Sequence, residues 1–297
     1  MDLKGAESVT EVEHVLGIGN QLGEGPLWDP QKGLLFWVDI EAGCLHRFCP
    51  ATGQVETFDT GITVSALGRV AGSDKLITAT TRGVALWNWP DNSLAVIVAD
   101  PENGRLGSRF NDAAVDRQGN FWVGSLGPGF ESALYRLGPE RLLHKMDSGI
   151  GTSNGIAWSL DNRMMYFTDS RRRVVFVYDF DAVSSSIANR RVLIEVPEGE
   201  GFPDGLTVDG DGFLWSARWG GARIARYDPT GRLEREISLP VTYPTSCTFG
   251  GANLDELYVT SARAPLPQHL AAREPHAGDL FRIRVGVRGI EAPRFRE

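Results

Sequence analysis

Glu24, Asn111, Asn154 and Asp204 are oxygen-bearing side chains that each open a short apolar stretch: Glu24-Gly25-Pro26-Leu27-Trp28, Asn111-Asp112-Ala113-Ala114-Val115, Asn154-Gly155-Ile156-Ala157-Trp158 and Asp204-Gly205-Leu206-Thr207-Val208. Taken one at a time, each reads as an ordinary turn residue, because Asn, Asp and Gly favour tight turns. Their shared place before a strand is what changes the reading. Two carboxylates and two amide oxygens brought to one point repel one another unless a cation sits between them. An all-oxygen set suits Ca²⁺, Mg²⁺ or Mn²⁺ better than a structural zinc site built from Cys and His. None of the five histidines falls at an equivalent position, which points away from a histidine-based site.

These residues are far apart in the chain, so the elements that carry them must bring them together. The pattern runs from a small or polar residue into a strand, through an aspartate-glycine turn, and into an aromatic-aliphatic strand. It begins near positions 24, 65, 111, 154, 204 and 246, with weaker copies at Ser65 and Ser246. A period of about 40–50 residues built from short strands predicts a β-propeller, here an all-β fold of six blades. Residues 1–297 are expected to form a single propeller domain, with the four oxygen-bearing positions facing a central metal site. The spacing allows four strands per repeat, for instance Gly25–Trp28, Leu34–Asp39, Leu45–Cys49 and Gln54–Phe58 in the first. Each repeat is thus expected to place its site residue one position before the innermost strand. A strand near Val12–Ile18 is expected to pair with the last blade and close the ring. Ala182–Asn189 reads as a loop. The proline-bearing stretch Ala264–Gly278 reads as a short helical excursion or a lid.

Composition narrows the function classes. Hydrophobic residues make up 42% of the chain, enough for a packed core. The net charge of −8 argues against nucleic acid and leaves room for a cation. Three cysteines, Cys44, Cys49 and Cys247, form neither a disulfide framework nor a Cys-x-x-Cys pair. No stretch approaches a membrane helix in length. Met1-Asp2-Leu3-Lys4-Gly5 lacks a basic region followed by an apolar run, so a reducing cytoplasm is the expected location.

Other motifs carry less. Asp209-Gly210-Asp211-Gly212 lacks the remaining ligands of a calcium loop and reads as a hairpin turn. Arg171-Arg172-Arg173 reads as a solvated loop tip. No Gly-x-Ser-x-Gly elbow and no phosphate-cradling loop is present.

Across nearly its whole length the chain resembles the regucalcin/gluconolactonase family of six-bladed propellers. The resemblance rests on Leu22-Gly23-Glu24-Gly25-Pro26, Phe36-Trp37-Val38-Asp39-Ile40, Arg109-Phe110-Asn111-Asp112 and Ser153-Asn154-Gly155-Ile156-Ala157. Pro203-Asp204-Gly205, Trp219-Gly220-Gly221 and Pro244-Thr245-Ser246 before Phe249-Gly250-Gly251 extend it. It implies a sugar lactonase that opens 1,4- or 1,5-aldonolactones to aldonic acids with one divalent metal, Ca²⁺, Zn²⁺, Mn²⁺, Mg²⁺ or Fe²⁺. It further implies Glu24, Asn154 and Asp204 as metal ligands, Asn111 beside the metal as a contact to substrate or water, and Arg109 as a substrate-binding arginine. Of these, Asp204 is the candidate general base, since the two asparagines cannot accept a proton; metal-supplied hydroxide oriented by Asp204 is the alternative. One departure stands out. Some relatives carry Gly-Thr-Met followed by a substrate-contacting glutamate, where this chain has Gly124-Ser125-Leu126-Gly127-Pro128-Gly129. Glu131 is the nearest replacement. Two other functions fit the same propeller, a broader esterase or organophosphate hydrolase and a non-catalytic calcium-binding protein.

Overall fold

Four of the six repeats fold into a four-stranded antiparallel sheet in which neighbours in sequence are neighbours in space; the second gains the C-terminal strand as a fifth, and the last takes its outermost strand from the N-terminus. The computed structural model describes residues 11–102, 105–264 and 266–297. The first blade comprises Gly23–Asp29, Leu34–Asp39, Cys44–Cys49 and Gln54–Asp59, close to the expected bounds. The inner strands of the remaining five are Val64–Val70, Arg109–Val115, Ser153–Trp158, Phe202–Val208 and Pro244–Gly250. They pack side by side around a ring, and the last lies against the first. The ring closes as expected, with Val12–Leu16 forming the outermost strand of the last blade, antiparallel to Leu280–Ile283.

The apolar core is divided rather than central. Six buried clusters each span the interface between two adjacent blades. Trp37, Trp122 and Trp215, on the second strands of three blades, are completely buried there. Two of these indoles are held by turn aspartates. Asp116 accepts from Trp122 Nε1 at 2.8 Å, and Asp209 accepts from Trp215 Nε1 at 2.9 Å. Asp209 also takes the backbone N–H groups of Asp211 and Phe213, which explains the Asp209-Gly210-Asp211-Gly212 run as a hairpin turn. With the blades packed against one another, the ring axis stays free for polar side chains.

The inner strands are not straight. Pairing between the first and second strand slips in every blade, at Glu24/Leu27, Val64/Ala66, Phe110/Ala113, Ser153/Ile156, Pro203/Leu206 and Pro244/Ser246. A bulge leaves residues unpaired and re-aims their side chains. The site residues therefore lie inside the strands, not one position before them. Asn111, Asn154 and Asp204 are the first unpaired residue of their bulge, whereas Glu24 is the last paired residue before its own. The longer glutamate side chain suits this earlier position.

Two local expectations are corrected, and the short helical excursion expected after Ala264 is found. Ser186–Glu195 is a full outer strand, so the loop read at Ala182–Asn189 ends at Ser185. Here Asn189 takes a positive φ of 53° and lets a strand continue through residues that look like a turn. Arg171-Arg172-Arg173 is not a freely solvated tip. Ser170–Arg172 is a 3-10 turn, with Arg172 over Phe130 and Arg173 over Phe202. The stretch from Ala264 holds one helical turn, Gln268–Ala271, and Glu274 accepts from Thr242 N at 2.7 Å.

The tail was not foreseen. Gly210 N donates to Arg288 O, Arg294–Phe295 pairs in parallel with Arg69–Val70, and Arg296 N donates to Gly119 O. It thus runs across one end of the channel, from the fifth blade to the second and third. Residues 1–10, including the opening stretch read for targeting, lie outside the described residues.

Candidate functional site

The bulges bring the four oxygen-bearing side chains to one end of the channel, and all four are nine-tenths or more buried. A chain of hydrogen bonds links three blades. Arg109 Nη1 donates to Asn111 Oδ1 at 2.6 Å, and Asn111 Nδ2 donates to Asn154 Oδ1 at 2.8 Å. In turn, Asn154 Nδ2 donates to Ser170 Oγ at 2.7 Å, and Ser170 donates to Pro203 O at 2.6 Å, beside Asp204. Both asparagine amides are thereby fixed in orientation. Ser170 went unnoticed in the sequence because it belongs to the turn after a second strand, outside the repeat positions.

Two of the glycines that follow these oxygen-bearing residues have a steric reason, while Gly25 takes a positive φ of 56°. A Cβ on Gly155 would lie 2.5 Å from Leu206 N, and one on Gly205 would lie 2.1 Å from Ser246 Oγ. Inner strands approach too closely there for a side chain. The third blade departs from this rule and carries Asp112 at the same position. This third carboxylate is absent from the sequence reading, which follows Asn111 and not its neighbour.

Electrostatically the site is unbalanced. Burial, reinforced by Asp112, pushes the Glu24 carboxyl up to about 8. Burial raises Asp112 to about 6. Asp204 is raised well above the usual carboxylate range by burial and by the charges of Glu24 and Asp112. Burial also lowers the Arg109 pKa, against the pull of Glu41 and Glu24. The charges of Glu24 and Asp112 both act on Asp204, and with one guanidinium nearby negative charge is left without a partner. Asp204 Oδ1 is buried with no hydrogen-bond donor at all. An orphaned carboxylate oxygen among fixed amide oxygens is what a divalent cation would satisfy, so the residues fit a metal.

Beneath this cluster, toward the tail, lies a cavity of about 150 Å³. Asp112, Ile156, Cys247 and the tail residues Ile290 and Pro293 are among its walls. Glu131 is far from this arrangement; it pairs with Arg105 and its side chain is 67% exposed. It does not replace the missing glutamate. Two of the five histidines do meet, His14 and His276 beside Asp279, but at the perimeter and not in the channel.

Residues 22–263 match the model of the SMP-30/Gluconolactonase/LRE-like region family. The chain belongs to this family. The SMP-30/gluconolactonase region spans all four oxygen-bearing positions. Among its relatives, human regucalcin is 35% identical over 293 residues, covering 95% of this chain and 97% of that protein. The putative sugar lactone lactonase YvrE of Bacillus subtilis is 34% identical over 278 residues, covering 92% and 94%. A solved calcium-binding regucalcin from Agrobacterium tumefaciens superposes with a TM-score of 0.92 at 27% identity, covering 97% of this chain and 98% of that one. A gluconolactonase from Xanthomonas campestris, 20% identical, shares the fold with a TM-score of 0.76.

Proposed function

We propose that this protein is a divalent-metal-dependent lactonase that opens aldonolactones to aldonic acids in the cytoplasm. The observation that carries the reading is the unpartnered Asp204 Oδ1 among Glu24, Asn154 and Asn111. Sequence kinship to a putative sugar lactone lactonase supports the substrate class. Three free thiols accord with a reducing compartment. Among the described residues no helix is long and apolar enough to cross a membrane.

Glu24, Asn154 and Asp204 would hold the cation. When bound, it supplies Lewis-acid polarisation of the lactone carbonyl and lowers the pKa of a water. The protein's own residues do the rest. Asp204 orients the attacking water and takes its proton, since it is a carboxylate, as Asn154 is not, and its Oδ1 carries no other hydrogen bond. A water oxygen adds to the carbonyl carbon, the ring C–O bond breaks, and the departing alkoxide takes back from Asp204 the proton that the water gave up, leaving the hydroxy acid. Asn154, clamped by Asn111 and Ser170, keeps its amide from rotating. With its guanidinium anchored on Asn111 Oδ1, Arg109 faces the sugar hydroxyls and the carboxylate that forms. Its hold on both favours sugar lactones over apolar esters.

A panel of 1,4- and 1,5-aldonolactones, with simple aryl esters as controls, tests the reading. Metal-loaded protein should turn over the sugar lactones, and chelator should abolish turnover. Hydrolysis of aryl esters alone would replace the lactonase with a general esterase. Binding of Ca²⁺ with no turnover of any of these would leave a calcium-binding propeller.

A further inference from the structure

Away from the channel, at the perimeter of the last blade, two imidazoles converge on one buried carboxylate. His14 comes from the N-terminal strand Val12–Leu16, and His276 and Asp279 from the turn before Leu280–Ile283. His14 Nε2 lies 2.8 Å from Asp279 Oδ2, and His276 Nδ1 lies 3.2 Å from the same oxygen. The three ligand atoms all fall within 4.8 Å of one another. The other carboxylate oxygen, Oδ1, is occupied by Gly19 N–H at 2.9 Å, which fixes the direction in which Oδ2 points. Gly17 leaves the approach open, since even a Cβ there would lie 3.9 Å from Oδ2.

We propose that His14, His276 and Asp279 form a second metal site, specific for zinc-class transition metals, that clips the N-terminal strand to the last blade. Ligand atoms at about 2.0–2.1 Å from Zn²⁺ in a tetrahedron stand about 3.3 Å apart. The two nitrogen–carboxylate separations, 2.8 and 3.2 Å, need open by no more than about half an ångström, and the two imidazole nitrogens already lie within 4.8 Å of each other. The imidazoles are 37% and 45% exposed in their side chains, so both can move, while the carboxylate is 6% exposed and stays. Each imidazole ligates in its neutral form with the N–H on its other ring nitrogen, Nδ1 of His14 and Nε2 of His276. Three protein ligands leave a fourth position for water. Two imidazoles and one carboxylate favour zinc, nickel or copper over Ca²⁺ or Mg²⁺, so the perimeter site and the all-oxygen channel differ in metal preference. Its consequence is mechanical. The N-terminal strand completes the last sheet, so metal bound across this seam holds the ring shut.

The test uses the full chain carrying Asp204→Asn, which removes a ligand from the channel site and leaves the perimeter intact. Zn²⁺ alone is added to metal-stripped protein, and its ligands are read by X-ray absorption at the zinc edge. The expected result is one equivalent of zinc showing two imidazole ligands, with melting raised by several degrees. Adding His14→Gln and His276→Gln should remove the imidazole signature and the thermal shift together. The same pair of substitutions in the otherwise native chain should leave circular dichroism and lactone turnover unchanged. Zinc without imidazole ligands in the Asp204→Asn protein would overturn the proposal. So would an imidazole signature that persists after both histidines are replaced.

Discussion

At the scale of single residues, the account turns on carboxylates that have no counter-charge of their own. With the metal removed, Glu24 keeps its proton up to about pH 8 in the folded state and releases it near 4.5 when unfolded. Between those values the folded state binds more protons than the unfolded one, so stability falls as pH rises. Metal-stripped protein should therefore melt at a lower temperature at pH 8 than at pH 5.5, and saturating metal should flatten that slope. Melting curves at both pH values, with and without chelator, check this. Ser170 tests the orientation of Asn154. Ser170→Ala leaves Asn154 Nδ2 without its acceptor and should weaken metal binding about 10–100-fold, as loss of a group supporting a ligand commonly does. Titration with a competing chelator measures it. Arg109→Ala should keep the metal and raise KM for the best sugar lactone, since Arg109 touches Asn111 and not the cation site.

Glu24, Asn111, Asn154 and Asp204 could be read from the sequence because a repeat aligns them. Asp112 and Ser170 could not, since Asp112 differs in type from its repeat mates and Ser170 lies outside the repeat positions. Asp112 stands where the others have glycine, and only the bulge geometry shows that the space exists for it.

At the scale of strands and turns, the period and the turn residues laid out the blades almost to the residue. The bulges stayed hidden, because a slip in pairing depends on the partner strand and leaves no mark in one strand's own pattern. Close approach of the inner strands at these bulges leaves no room for a side chain at Gly155 or Gly205. Gly155→Ala would place a Cβ 2.5 Å from Leu206 N and 2.8 Å from Asp204 O, and backbone atoms cannot swing aside. The variant should lose about 1–3 kcal/mol of stability and lose metal affinity as well, because the strand that is pushed carries Asp204. Denaturant unfolding and metal titration on the same sample separate the two effects. The turn aspartates offer a contrasting case. Asp209→Ala strips the buried Trp215 indole of its acceptor and Arg226 of its buried partner, leaving Arg226 with Asp211 and Glu234. It should cost about 2–4 kcal/mol and leave the channel chemistry untouched in the folded fraction.

At the scale of the whole molecule, two chain ends close the ring in different ways. The N-terminal strand finishes the last sheet, as the repeat anticipated. The tail instead seals the channel opposite the candidate site. Its two-residue parallel strand is too short to announce itself in sequence. Phe295 is completely buried between the second and third blades, and Arg69, 3% exposed in its side chain, holds Glu291. Phe295→Ala should cost about 3–5 kcal/mol, the usual penalty for emptying a buried aromatic site, and thermal melting reads it directly.

Metal dependence of lactone opening is the claim on which the rest hangs. Initial rates on the best aldonolactone, with bound metal counted in the same samples, test it in native protein, in Asp204→Asn, and in native protein after stripping and reloading. The account predicts that stripping and Asp204→Asn each remove metal and lower kcat/KM by at least about a hundred-fold, and that reloading restores only the native protein. Metal-free native protein that opens the lactone at its full rate would contradict it.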